Sequence, residues 1–164
     1  MGRGVTGPSL IGGVILTELR QIVDKRGAVL HMLRSDGPDH VPMGECYFSE
    51  ILPGAVKAWK RHRLQTQNLA VPVGRVRLIV YDDRESSSSH GTVETYTLGR
   101  PDAYFRVRIP AGLWYGFSCV SETSALLANC TDRPHDPSES DARSLDDPAM
   151  PAVWGPSGAV EHQS

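Results

Sequence analysis

Apolar and polar residues alternate in several short stretches of this chain. In residues 75–81 (RVRLIVY) and 104–109 (YFRVRI) every second side chain is apolar, and arginines fill several of the positions between them. A period of two is typical of strands that bury one face. Residues 12–19, 92–98 and 124–129 are further strand candidates, and no segment of a dozen residues shows a helical stripe of apolar positions. The pattern predicts an all-β protein.

Turn-forming sequences separate these runs. The chain has 16 glycines and 12 prolines, and a serine-rich stretch at 85–91 reads as a hairpin loop. Short strands at this spacing favour a sandwich or a jelly roll. After residue 131 the sequence is polar and interrupted by prolines, which predicts an irregular C-terminal arm with at most one helical turn. We expect one domain over residues 12–154, with flexible termini at 1–11 and 155–164.

Charge and cysteine content narrow the function classes. The formal net charge of −2 gives no sign of a nucleic-acid or membrane-surface partner. The apolar run at 10–16 is too short to span a membrane. Three widely spaced cysteines suggest reduced, buried thiols in the cytoplasm rather than a disulfide framework, with a Cys119–Cys130 bridge as the less favoured alternative.

Residues 56–62 form a strand whose two faces differ. Strict alternation puts Val56, Ala58, Lys60 and His62 on one face, which runs from apolar to polar as a strand does toward the mouth of a barrel. The other face is basic and contains Lys57, Trp59, Arg61 and Arg63, which predicts exposure to solvent or a subunit contact. The alternative is that Lys60 and His62 lie at an exposed strand end.

The spacing around this strand matches a known frame. Gly54, Lys60, His62, Gln67 and Gly74 reproduce the intervals of the first cupin motif, G-x5-H-x-H-x4-E-x6-G, and PAGLWY at 110–115 resembles the second. A metal in such a barrel needs about four nitrogen or oxygen ligands. The corresponding positions hold a lysine, one histidine, an amide and a tyrosine, so we predict that the protein binds no metal.

Five longer motifs resemble the dTDP-4-dehydrorhamnose 3,5-epimerase family. They lie between residues 12 and 154 and read IVDKRGAVLHMLR, PGAVKAWKRH, YDDRESSSSHGT, IPAGLWYGF and LDDPAMPAVW. The resemblance implies a cupin double-sheet jelly roll and a homodimer formed by exchange of N-terminal strands. It also implies a sugar-nucleotide substrate, a dTDP-linked 4-keto sugar. Proton transfer in that family needs no cofactor. A histidine paired with an aspartate removes a proton next to the ketone, and a tyrosine on the opposite face returns one.

When the family's functional positions are carried over one by one, the spacing of the motifs is preserved but the residues at the proton-transfer positions differ. The catalytic histidine falls on Lys60, its aspartate on Asp147 and, without a gap, the tyrosine on Asn129. The family's diphosphate-binding arginine falls on Arg26, its strand arginine on Lys57 and its active-site lysine near Gln67. Its nucleotide-contacting positions fall near Glu45 and Tyr47, and the histidine of its H-G-F turn becomes Tyr115. Asn129 is in addition a candidate for substrate contact. Three more residues are candidates for substrate contact: His62, Trp114 and His135.

Two interpretations of the changed site follow. In the first, Lys60 is the base and Tyr115 the acid of an epimerase or isomerase of deoxysugar, polysaccharide or natural-product biosynthesis. A carboxylate at Asp147 would oppose that role, because it would favour the charged form of the lysine. In the second, Lys60 and Asp147 form a structural ion pair. The barrel of this non-epimerase cupin then binds a sugar nucleotide or another small ligand, or catalyses a different reaction.

Overall fold

The computed structural model describes residues 8–155, and nearly all of the regular structure in that range is β. Antiparallel pairing joins all the strands. Their bounds are β1 Ile15–Glu18, β2 Gln21–Asp24, β3 Gly27–Leu30, β4 Glu45–Ile51, β5 Val56–His62, β6 Gln67–Val73, β7 Arg75–Tyr81, β8 Val93–Gly99, β9 Phe105–Ile109, β10 Trp114–Cys119, β11 Ala125–Thr131 and β12 Ser140–Ala142.

The strands form two five-stranded sheets that pack face to face. One sheet has the order β1-β9-β6-β11-β4, and the other has the order β12-β5-β10-β7-β8. Between them lies a core of aliphatic side chains contributed by both sheets, including Leu69, Leu78, Val107 and Leu127. This arrangement confirms the predicted double-sheet jelly roll, and each of the stretches predicted as strands overlaps an observed strand.

Two further parts of the chain are a separate hairpin and an arm that adds an edge strand to one sheet. Strands β2 and β3 pair only with each other, as a hairpin whose residues are mostly exposed. The arm after β11 contains a single 3-10 turn, Pro137–Glu139, and β12. Between residues 8 and 155, no helix has the length and apolar character needed to cross a membrane.

The packed body begins earlier than residue 12. Ile11 is 1% exposed and belongs to the core between the sheets. The backbone of Leu10 donates to the Glu94 carboxylate at 2.9 Å. The flexible segment predicted for 1–11 therefore extends too far into the domain, because Ile11 closes one end of the core. Residues 1–7 and 156–164 lie outside the described part of the chain.

Trp59 on the outer face of β5 is buried, contrary to the expected solvent or subunit exposure of that face, while Arg61 is half-buried and Arg63 is exposed. Trp59 is 1% exposed and packs with Ile79 and Trp114 beneath the C-terminal arm, which contributes Met150 and Trp154. The arm therefore acts as a cover for this sheet. Alternation alone could not show this, because the covering residues lie about 90 positions later in the sequence.

The cysteines depart from the sequence expectation in part. All three are free thiols, so the Cys119–Cys130 bridge is not formed. Cys46 is exposed rather than buried, and its sulfur lies 3.4 Å from that of Cys130 on the neighbouring strand.

Candidate active site

An open cavity of about 330 Å³ lies between the two sheets. One wall belongs to the sheet of β4, β6 and β11, and it presents Tyr47, Ser49, Leu69, Leu127 and Asn129. The facing wall belongs to the sheet of β5, β10 and β12, and its residues are Lys57, Ala58, Trp59, Lys60, Tyr115, Phe117 and Ala142. The cavity is therefore apolar in part, with polar groups from both sheets pointing into it.

A bulge in β5 brings two lysines to the same wall. Lys60 pairs with Tyr115 and Lys57 pairs with Phe117, so two residues of β5 face the single residue Gly116. Because the bulge shifts the alternation by one residue, Lys57 joins Lys60 on the cavity face instead of pointing outward. The Lys57 ammonium donates to the Glu50 carbonyl at 2.8 Å, across the gap between β5 and β4.

Tyr115 lies directly beside Lys60. The two residues are cross-strand partners, and both line the cavity. Tyr115 is 5% exposed, and burial raises the pKa of its phenol far above the ordinary value. Its ring lies nearly parallel to that of His62, with centroids 6.1 Å apart. Tyr115 is therefore held in its neutral form, next to the amine of Lys60.

His62 forms a buried pair with a residue that sequence analysis missed. Its Nδ1 contacts the carboxylate of Glu139 in the 3-10 turn. That carboxylate also accepts from the backbone N–H groups of Leu64 at 3.0 Å and Gln65 at 3.2 Å. Burial lowers the pKa of His62, and the bond to His62 helps to lower the pKa of Glu139 against its own desolvation. The pair is thus a neutral imidazole held by an ionised carboxylate, and within residues 8–155 the imidazole Nε2 has no hydrogen-bond partner.

The opposite wall carries a chain of amide side chains. Asn129 Nδ2 donates to the phenol oxygen of Tyr47 at 2.9 Å and to Gln67 Oε1 at 2.6 Å. Gln67 Nε2 donates to Gln65 Oε1 at 2.8 Å, and Gln65 Nε2 donates to the Arg133 carbonyl at 2.7 Å. Gln67 therefore holds the Asn129 amide in place and does not line the cavity itself. Tyr47 lies at the cavity end of this series of hydrogen bonds.

Asp147 does not pair with Lys60. Its carboxylate contacts Arg143 at 3.0 Å and accepts the backbone N–H of Ala149 at 2.8 Å. These bonds lower the pKa of Asp147. The local turn and its arginine satisfy the aspartate within the arm, so the expected Lys60–Asp147 ion pair is wrong. None of the carboxylates in residues 8–155 lies within ion-pair distance of Lys60.

Three further candidates lie outside the cavity of this chain. Arg26 is at the tip of the β2–β3 hairpin, where its exposed guanidinium pairs with Asp24 at 2.6 Å. Trp114 points to the outer face of its sheet, beneath the guanidinium of Arg61 at 4.6 Å. His135 is exposed on the arm, and its backbone N–H donates to Glu45 at 2.8 Å.

Within residues 8–155, the structure shows no cluster of three or more histidine, cysteine, aspartate or glutamate side chains that could hold a metal ion. Of the four cupin ligand positions, only His62 offers a strong ligand, and Glu139 already occupies its Nδ1. The donor set therefore suits proton transfer and hydrogen bonding better than metal coordination.

Comparisons with known proteins agree with this architecture. The sequence profile of dTDP-4-dehydrorhamnose 3,5-epimerase matches residues 8–163. The probable low-salt glycan biosynthesis epimerase Agl13 of Haloferax volcanii is 33% identical over 121 residues, which cover 73% of this chain and 77% of that protein. The spore coat polysaccharide biosynthesis protein SpsL of Bacillus subtilis is 27% identical over 147 residues, which cover 88% and 97%.

Solved structures extend the comparison. A dTDP sugar isomerase from Desulfovibrio desulfuricans G20 is 52% identical, with a TM-score of 0.86 over 88% of this chain and 92% of that one. The Bacillus anthracis dTDP-4-dehydrorhamnose 3,5-epimerase shares the fold at 16% identity, with a TM-score of 0.79 over 90% and 88%. These findings confirm the resemblance carried by the sequence motifs. The chain belongs to the dTDP-4-dehydrorhamnose 3,5-epimerase family.

Proposed function

We propose that this protein is a nucleotide-sugar epimerase or isomerase that acts on a dTDP-linked 4-keto-deoxyhexose by metal-free proton transfer in the cavity between the two sheets. Family membership and relatives that are epimerases of glycan biosynthesis support the reaction class. The protein would act in the biosynthesis of a deoxysugar, a polysaccharide or a natural product.

The pairing of Lys60 with Tyr115 carries this proposal. Removing a proton next to a ketone requires a base at the carbon and a donor to the developing enolate oxygen. Lys60 supplies the side-chain nitrogen that would act as the base, and no carboxylate in residues 8–155 lies within ion-pair distance of it. Tyr115 supplies the donor, since burial keeps its phenol protonated. Both residues extend from adjacent strands on one wall, so they can reach adjacent atoms of one sugar ring.

The other residues around the cavity suit an anionic, nucleotide-linked substrate. Lys57 adds a positive charge to the cavity wall on which Lys60 lies. Lys57 would bind the sugar nucleotide, whereas the Asn129 amide already donates to Tyr47 and Gln67. His62 would orient the Tyr115 ring against which it lies.

We also propose that the protein is a cytoplasmic homodimer. The β2–β3 hairpin exposes apolar side chains, with Val23 at 67% and Val29 at 61% exposure. Exposed strands of this kind need a cover, which the same segment of a second copy can provide. The exchange would also carry the exposed Arg26 toward the cavity of the other copy, where it would bind the diphosphate.

Deuterium exchange tests the function. Wild-type protein is incubated in D₂O with a dTDP-linked 4-keto-6-deoxyhexose, and NMR follows the signals at C3 and C5. We expect deuterium incorporation by the wild type and a loss of at least about 100-fold in Lys60→Met, which keeps the aliphatic stem and removes the amine. The control is Arg63→Met, which removes the exposed cation of the residue that follows β5. This variant should incorporate deuterium at the wild-type rate.

A second candidate function is a cupin that binds a sugar nucleotide without epimerising it. The replacement of both family proton-transfer groups, at Lys60 and Asn129, favours this alternative. Binding of dTDP in calorimetry without deuterium exchange by the wild type would support it and contradict the epimerase.

A further inference from the structure

The two walls of the cavity differ in the proton-transfer groups that they carry. Inversion at a carbon requires removal of a proton from one face and its return on the other. Lys60 and Tyr115 are cross-strand neighbours in the same sheet, so both approach the substrate from one side. The second proton must come from the facing sheet, where Asn129 occupies the position of the family's tyrosine.

Tyr47 is the titratable group on that facing wall. It lies on β4, directly opposite Asn129 of β11 in the register of the two strands. Its phenol oxygen is 2.9 Å from the Asn129 amide nitrogen. Tyr47 and Tyr115 both line the cavity, and they do so from opposite sheets.

The backbone determines the direction of the hydrogen bond between Asn129 and Tyr47. The Asn68 backbone N–H can only donate, and it contacts Asn129 Oδ1 at 3.2 Å. Asn129 must therefore present its NH₂ group to Tyr47 and to Gln67. The Tyr47 oxygen accepts this bond, which leaves its own O–H free to point into the cavity.

We propose that Tyr47 is the catalytic acid that protonates the enolate on the face opposite Lys60, and that Asn129 is its positioning residue. This assignment rests on the proposed epimerase function. Burial raises the pKa of the Tyr47 phenol, which keeps it protonated until the enolate forms, while the bond from Asn129 stabilises the phenolate left after transfer.

Lys60 takes the proton from the carbon next to the ketone, and the C–H electron pair forms the enolate. The Tyr47 O–H bond then breaks, and its proton forms the new C–H bond on the opposite face as the ketone returns. Water reprotonates the phenolate, and Lys60 releases its proton to water, so both groups return to their starting states.

The experiment separates proton removal from inversion. Tyr47→Phe is assayed in D₂O with the same dTDP-linked 4-keto-6-deoxyhexose, for both deuterium incorporation and change of configuration. We expect deuterium incorporation with retained configuration, because Lys60 can still remove and return a proton on its own face, and a loss of inversion of about 100-fold or more. Tyr81→Phe removes the same atom from a tyrosine on the outer face of the other sheet and should leave both rates unchanged.

Asn129→Asp provides a second measurement. A carboxylate can still accept from the Asn68 N–H but cannot donate to Tyr47, so the phenol must turn its proton toward the carboxylate. Inversion should fall while deuterium incorporation continues. Normal inversion in Tyr47→Phe, with incorporation by the wild type, would overturn the assignment of Tyr47 alone. Absence of incorporation in the wild type would overturn the proposed function and this assignment together.

Discussion

The buried pair of His62 and Glu139 offers a quantitative test of the site's architecture. Glu139 is 7% exposed, and its carboxylate accepts hydrogen bonds from His62 and from the backbone of Leu64 and Gln65. Glu139→Gln keeps the shape of the side chain and removes its charge. The amide retains one acceptor oxygen, so either the backbone N–H groups lose their acceptor or His62 must change tautomer to accept from the new NH₂ group.

The expected loss follows from these contacts. A hydrogen bond to a charged group contributes about 1.5–3 kcal/mol, and an amide can replace only part of the set. We therefore expect Glu139→Gln to lower the free energy of unfolding by about 2 kcal/mol near neutral pH. Urea titration followed by tryptophan fluorescence measures this value. Glu122→Gln, at an exposed glutamate in the loop after β10, is the matched control and should change it by less than about 0.5 kcal/mol.

The pH dependence of the difference has a definite sign. The folded-state pKa of Glu139 is lowered from its ordinary value of 4.5, so its stabilising contribution is complete above that pH and is lost as the pH falls through the folded value. The difference between wild type and Glu139→Gln should therefore shrink in acid. Both proteins should also weaken below pH 6.5, because burial lowers the pKa of His62 and only the unfolded chain takes up a proton there. A variant as stable as the wild type at neutral pH, or a difference that persists unchanged in acid, would refute this account of the pair.

Three further predictions concern the fold, the assembly and the metal content. Gly116→Ala should lower the free energy of unfolding, measured by urea titration, by about 3 kcal/mol. The added Cβ would lie 2.2 Å from the Cβ of Ala58 and 2.9 Å from the Trp154 ring. The control is Gly155→Ala, whose added Cβ meets no atom within 4 Å and should leave the stability unchanged. Light scattering at micromolar concentration should give twice the chain mass of 17.9 kDa, and Val29→Asp should reduce it to one chain; a monomeric wild type would contradict the proposed strand exchange. Elemental analysis should find no stoichiometric iron, zinc or manganese, since the cupin ligand positions offer one histidine; a full equivalent of any of them would reverse that interpretation.

Local pattern determined the fold class and the family. Alternating side chains at 75–81 and 104–109 are enough to predict strands, because a strand with one buried face must repeat every two residues. The five family motifs predict the jelly roll, and the spacing from Gly54 to Gly74 predicts that Lys60 lies in the site. Strand β4 was not predicted, because its half-buried face includes the polar residues Glu45, Tyr47 and Ser49, so apolar and polar residues do not separate between its faces.

Tertiary structure alone decided which of these residues share the cavity. The bulge opposite Gly116 moves Lys57 to the face of Lys60, and no period in the sequence marks it because a bulge is a mismatch between two strands. Asp147 was assigned to Lys60 by motif position, yet Arg143 is nearer in space and satisfies it. Glu139 and Tyr47 reach His62 and Asn129 from 77 and 82 positions away in the chain. Contacts over such separations depend on strand order and register, which only the folded chain sets.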